Sequence, residues 1–194
     1  MKQHKDQRVG VFVDVQNMYY SAKNIHQSKV NFGKILETAV GDRKLIRALA
    51  YVIKAEAPEE QSFFEALDKQ GFEVKYKDLQ VFVGGAKKGD WDVGLAIDAV
   101  KLASRLDVVI IVSGDGDFIP LVEYLKNMGV IVEVMAFGES SSGKLREATD
   151  YFVDLSADAK YLLRNKRILP RPSIPFTRPR QRHPEPPINH IGET

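Results

Sequence analysis

The chain has 194 residues, 44% of them hydrophobic and 28% charged, with no cysteine and a formal net charge of +2. That length suits one globular domain, and the missing thiols exclude a disulfide framework, a thiolate metal site and a cysteine nucleophile. No apolar run approaches the ~18 residues of a membrane span and no secretory signal opens the chain, so a cytoplasmic protein without membrane association is expected.

"RVGVFVDV", Arg8 to Val15, is short, apolar and β-branched, and predicts a buried strand. "IRALAYVIK", Ile46 to Lys54, predicts another. A helix follows, opened by Pro58 and Glu59, carrying Phe63, Phe64 and Leu67 on one side and stopped at Gly71. Phe72 to Val83 alternates well enough for one or two strands, and "GGAKKGDWD" reads as loop. Val93 to Leu106 predicts a helix, with Leu95, Ala99, Leu102 and Leu106 at helical spacing. "DVVIIVS" predicts a central strand, Ile119 to Met128 a helix, "VIVEVMAF" a further strand, and Lys144 to Ala148 a short helix before "YFVDLS". Strands that lack polar alternation and are separated by helices imply a parallel sheet covered on both faces. Right-handed crossovers make it a doubly wound α/β sandwich, which binds ligands beyond the strands' carboxyl ends, where strand order reverses.

The charge is unevenly spread. Residues 166–194 carry six Lys/Arg against Glu185 and Glu193, and hold seven of the nine prolines. Proline removes backbone donors, so residues 1–165 are expected to form the domain and 166–194 an extended, disordered tail. A basic arm of this kind favours a polyanion or docks another protein; a merely solubilising tail fits the composition as well. A homo-oligomer is compatible with the sequence, which does not specify one.

Aspartates gather where the predicted strands end. Asp14 closes the first strand, Asp115 and Asp117 follow "VVIIVSG", and Asp92 and Asp98 lie on the helix feeding that strand. Two unit charges 4 Å apart cost on the order of 4 kcal/mol at an effective dielectric of 20, so several acids on one rim call for protonation or a cation. Oxygen ligands without His or Cys suit Mg²⁺ or Mn²⁺ rather than zinc. The glycines of "GDGD" are read as giving a sharp turn and open space beside the ion. Each acid also has an ordinary reading: Asp117 or Asp92 as a helix cap, Asp115 as a turn residue, Asp98 paired with Lys101 on a helix face. Asp14 is the hardest to explain that way, and five acids on one rim by accident is the weaker account. Asp92 and Asp98, six residues apart, point about 120° apart and ~9 Å along the helix, so they do not share one ion.

"VFVDVQNMYYSA", "KKGDWDVGLAIDAVKLA", "VIIVSGDGDFIPLVEYLKNMGVIVEV" and "LREATDYFVDL" resemble the LabA-like branch of the NYN domains, within the PIN-like ribonuclease superfamily. The likeness spans about residues 8–160 and rests on the order and spacing of all four motifs. It implies a PIN-like three-layer sandwich with a mostly parallel sheet, and a Mg²⁺- or Mn²⁺-dependent nuclease centre acting on RNA. Matched by motif, Asp14, Asp98, Asp115 and Asp117 are the implied catalytic and metal-binding acids, with Asp92 close by. Asn17 is implied to hold the first acid or a substrate phosphate (or to cap a helix), and Ser113, the small hydroxyl residue before the acidic turn, is placed with it among the substrate-binding residues. Lys87 and Lys88 are assigned to the RNA backbone and Trp91 to a base, although a solvated loop and a core-packed indole account for them equally. Tyr19 and Tyr20 are read as core and rim packing. A haloacid-dehalogenase-like phosphatase would need an aspartate where Gln16 stands, and no G-x-x-x-x-G-K-[ST] loop occurs. A non-catalytic module that binds RNA or protein is the alternative to the nuclease.

Overall fold

The computed structural model describes residues 3–54, 60–81, 87–88 and 91–163. Pro58, Glu59 and the basic tail lie outside the described residues, as do the side chains of Lys87 and Lys88.

The chain opens with β1 (Arg8–Asp14), then α1 (Val15–His26), β2 (Lys29–Val30), α2 (Phe32–Val40) and β3 (Lys44–Lys54). α3 (Glu60–Lys69), β4 (Glu73–Asp78), β5 (Gln80–Val81), β6 (Lys87–Lys88), α4 (Asp92–Ala103) and β7 (Val108–Val112) follow. The last elements are α5 (Ile119–Asn127), β8 (Ile131–Ala136), α6 (Gly143–Ala148), β9 (Tyr151–Asp154) and β10 (Leu162–Leu163).

Six strands form one parallel sheet in the order β4-β3-β1-β7-β8-β9. The chain winds outward from β1 through β3 and β4 on one side, then returns and winds through β7, β8 and β9 on the other. The switch therefore falls between β1 and β7. Strand alternation assigns the faces: Val9, Val11 and Val13 pack with Met18, Ile35 and Phe64 under α1–α3. Phe12, Val109 and Ile111 pack with Leu95, Leu121 and Leu145 under α4–α6. The expected three-layer PIN-like sandwich is the observed one.

Local chemistry explains two helices that the strand-by-strand reading passed over. Asp14 caps α1 by accepting a hydrogen bond from the Asn17 backbone N–H at 3.0 Å, and Val15, Met18 and Ala22 turn inward at helical spacing. Asn31 caps α2, whose Phe32, Ile35, Leu36 and Ala39 are buried and whose end is marked by Gly41 at φ +54°. Gly71, at φ +97°, ends α3 as expected. One stretch read as loop is ordered differently: Lys87–Lys88 pair antiparallel with Gln80–Val81, because a second short run lies near enough to satisfy their backbone groups.

A charged pair is buried under the α1–α3 layer. Arg43 reaches Glu133 through two hydrogen bonds of 2.7 and 3.0 Å and also donates to the carbonyls of Ala39 and Val40. The Arg43 side chain is 1% exposed, so only this network compensates its desolvation.

Candidate metal centre

Register places the first acid. Val13 pairs with Val112 in the parallel ladder, so the next residues on each strand, Asp14 and Ser113, leave the sheet side by side. Ser113 donates its hydroxyl hydrogen to Asp14 Oδ2 at 3.1 Å, and its oxygen accepts from the Asp115 backbone N–H at 3.2 Å. Asn17 reaches across from α1, its Oδ1 accepting from the Gly114 N–H at 3.0 Å. Four residues thus lock the start of α1 to the turn after β7. Ser113, assigned to the substrate from sequence, is fully buried and turned inward to this lock. The Asn17 side chain likewise holds a backbone amide rather than capping a helix or touching Asp14; it is the Asn17 backbone that holds the Asp14 carboxylate.

The turn then presents its acids. Asp115 accepts from the Asp117 N–H at 3.0 Å and caps the 3-10 turn Gly116–Phe118. Asp117 caps nothing, because the residue before α5 is Phe118 and no side chain bonds there. α4 begins at Asp92 on a Trp91 cap that likewise makes no side-chain bond, so the capping reading of Asp92 is not realised. One carboxylate oxygen from each of Asp92, Asp115 and Asp117 lies within 4.8 Å of the others, with Asp92 and Asp115 half-buried and Asp117 exposed.

Asp14 and Asp98 stand outside that triad. Asp14 lines the same cleft as Asp92 and Asp115. Burial pushes its carboxyl above the ordinary range, against the opposing effect of hydrogen bonds from Asn17 and Ser113; the nearby Asp115 charge adds to the rise. Asp98 is engaged elsewhere. The Tyr51 hydroxyl donates to its Oδ2 at 3.0 Å and Lys75 Nζ lies 3.3 Å away, so its ion pair comes from β4 and not from Lys101. The Tyr51 hydroxyl, buried and facing that carboxylate, is held far above its ordinary pKa.

The glycines act differently from the sequence-based expectation. Among the described residues, glycines with positive φ are Gly41, Gly71 and Gly129, none of them in "GDGD". A Cβ on Gly114 would sit 3.0 Å from Ser141 Cα, so this glycine permits close approach of the loop after β8. Trp91 packs back on the core: its Nε1 donates to the Val52 carbonyl at 3.0 Å and its ring meets Tyr51 edge-on at 5.8 Å. Tyr19 and Tyr20, expected in the core and at the rim, are 44% and 50% exposed, so neither belongs to the core.

Asp92 and Asp115 of the triad open into a cleft of about 450 Å³, within the range of small-ligand sites. Its acidic end holds Asp14, Asp92 and Asp115, and its other wall is the polar face of α1. Sequence reading missed that wall, along with Tyr51 and Lys75. Gln16, Tyr20 and Asn24 recur every four residues and would have been visible had α1 been read as a helix.

The NYN domain family model matches residues 8–156. The Low amplitude and bright protein LabA of Synechococcus elongatus is 24% identical over 180 residues, 89% of this chain and 96% of that protein. An uncharacterized protein of Methanocaldococcus jannaschii is 26% identical over 81% of this chain, which spans 59% of that protein's length. A crystal structure of a Vibrio parahaemolyticus protein of unknown function superposes with a TM-score of 0.76 at 34% identity, covering 84% of this chain and all of that one.

Proposed function

The chain belongs to the NYN domain family, and from that membership and the placement of its acids we propose that it is a Mg²⁺- or Mn²⁺-dependent endoribonuclease. One observation carries the reading: carboxylates from the start of α4 and from the turn after β7 meet within 4.8 Å at the switch point of the sheet. The donor set fits a hard divalent ion. Three carboxylate oxygens, with no nitrogen or sulfur donor among them, are the ligand type such an ion takes. Asp92, Asp115 and Asp117 would hold the ion, with Asp14 behind them. Once bound, such an ion supplies charge stabilisation at phosphate oxygens and activates a water molecule.

The chain's own residues do the positioning. Ser113 and Asn17 fix the turn that bears Asp115 and Asp117, and Asp98, the remaining acid of the family pattern, braces α4 against β3 and β4 through Tyr51 and Lys75. Lys87 and Lys88 remain assigned to the RNA backbone, and the tail from residue 166 to RNA or a protein partner. No helix among the described residues is long and apolar enough to cross a membrane, and the cysteine-free chain suits the reducing cytoplasm.

The engagement of Asp98 favours a second reading, a regulatory module that binds RNA or protein without cleaving it. Labelled single-stranded and structured RNA, incubated with Mg²⁺, Mn²⁺ or EDTA beside D115N, separates the two. Metal-dependent cleavage that D115N loses supports the nuclease. Binding without cleavage under every condition refutes it.

A further inference from the structure

Resting on the nucleic-acid reading above, we propose that the α1 wall of the cleft is a base-reading subsite that selects adenines beside the scissile phosphate. Gln16, Tyr20 and Asn24 stand four residues apart, so each step drifts only ~40° around the helix and rises ~6 Å. They form one stripe along the cleft, starting two residues from Asp14 at its acidic end.

The stripe is chemically distinct from its surroundings. Other polar groups on this wall are occupied: Asn17 holds the Gly114 amide, and Ser21 and Ser140 bond each other at 2.9 Å. The carboxamides of Gln16 and Asn24 meet no hydrogen-bond partner among the described residues, and both line the cleft. A side-chain amide offers a donor and an acceptor in one plane, the pattern that matches adenine N7 and N6 bidentately. Between the two amides stands Tyr20, half exposed, its ring nearly perpendicular to that of Tyr19 at 5.4 Å, so Tyr19 covers at most one of its faces and the other is left for stacking. The wall carries no lysine or arginine into the cleft, so it suits neutral bases while the acidic end suits a cation-bridged phosphate. Gln16 reads the base nearest the scissile bond, Asn24 reads the next, and Tyr20 stacks between them.

The test maps cleavage positions in single-stranded oligoribonucleotides in which each base is varied, with wild type, Q16A, N24A and Y20A. Adenine preference is expected at two adjacent positions. Q16A should lower it at one and N24A at the other, each by about 10-fold, the scale of one bidentate base contact. Y20A should slow cleavage of every single strand alike. Cleavage with no base preference, or preference unchanged in both amide variants, overturns the subsite while leaving the nuclease reading intact. Should wild type cleave nothing, that reading fails, and anisotropy with oligo-A and oligo-U in chelator decides the subsite: tighter oligo-A binding lost in Q16A and N24A upholds it, and equal binding of both sequences rejects it.

Discussion

Substituting Asp115 by Asn should stabilise the metal-free protein. At 4.8 Å one like-charge pair costs ~1 kcal/mol in bulk water and ~3.5 kcal/mol at an effective dielectric of 20. D115N removes two of the triad's three repulsive pairs. Two of these acids are half-buried and the third is exposed, so the net relief falls in the lower part of that range, roughly 2–4 kcal/mol. Little is lost in exchange, because Asn caps about as well as Asp and its oxygen can still accept from the Asp117 N–H. At ~2–4 °C per kcal/mol for a domain of this size, melting in EDTA should rise by about 5–10 °C. Mg²⁺ or Mn²⁺ should then close most of that gap: wild type gains ~2.7 kcal/mol at a hundredfold excess over its dissociation constant, and D115N gains little. Calorimetry of both proteins with chelator and with each metal reads all of this. A D115N protein that melts several degrees lower in EDTA, or a wild type indifferent to both metals, refutes the crowding argument.

The buried pair gives a larger effect of opposite sign. E133Q leaves the Arg43 guanidinium buried without its counter-charge and should lose about 3–5 kcal/mol in urea unfolding, whereas replacing both residues by methionine should recover most of it; a loss below ~1 kcal/mol for E133Q refutes this. Because burial raises the Asp14 carboxyl in the folded state, the fold binds that proton more tightly than the unfolded chain does. In EDTA its contribution is therefore full below the unfolded value of ~3.9 and declines as pH rises through the folded one. D14N should flatten that decline and keep the cap of α1, measured as unfolding free energy against pH; a profile unchanged in D14N counts against it. Asp107 behaves inversely: the Arg8 guanidinium and backbone N–H hold it down at about 2, so its stabilisation is present above ~3.9 and is lost as pH falls toward 2. The pair is exposed and screened, so D107N should differ from wild type only slightly at pH 7, and the difference should vanish in acid and in high salt.

The parallel, two-sided character of the sheet was legible, though not its strand order, because the buried strands lack polar alternation and Val9–Val13 and Val108–Val112 could only pair with both faces covered. α1 was not legible strand by strand, since its polar face carries Gln16, Asn17, Tyr20 and Asn24 and dilutes the apolar stripe to Val15, Met18 and Ala22. That same polarity is what makes it the wall of the cleft. The capping roles were assigned to the wrong acids. Asp14 looked least like a cap because it closes a strand, yet a strand that leads straight into a helix needs its last residue to accept from the helix's free N–H groups. Asp117 looked most like a cap, but Asp115 and the 3-10 turn before Pro120 had already absorbed the need. The Arg43–Glu133 pair lies 90 residues apart in the chain and left no local pattern to find.

Asp92 and Asp98 test how far spacing alone can reach. Their 120° divergence established that one ion could not take both, but helical geometry is symmetric in the two and could not choose between them. The choice comes from what each faces after the crossover. Asp92 opens α4, where the free N–H groups of the first turn favour a carboxylate and the turn after β7 approaches. Asp98 lies a turn and a half further on, over β3 and β4, and there the sheet offers a tyrosine hydroxyl and a lysine instead of other acids. Because the Tyr51 hydroxyl is buried, it is stable only while it has an acceptor, so Asp98 serves the packing of α4 on the sheet. Removing that carboxylate therefore strands Tyr51 and disturbs the helix that carries Asp92, and a loss of metal response in D98A would not by itself make Asp98 a ligand. D98N, which retains an acceptor for the tyrosine, is the substitution that separates positioning from coordination.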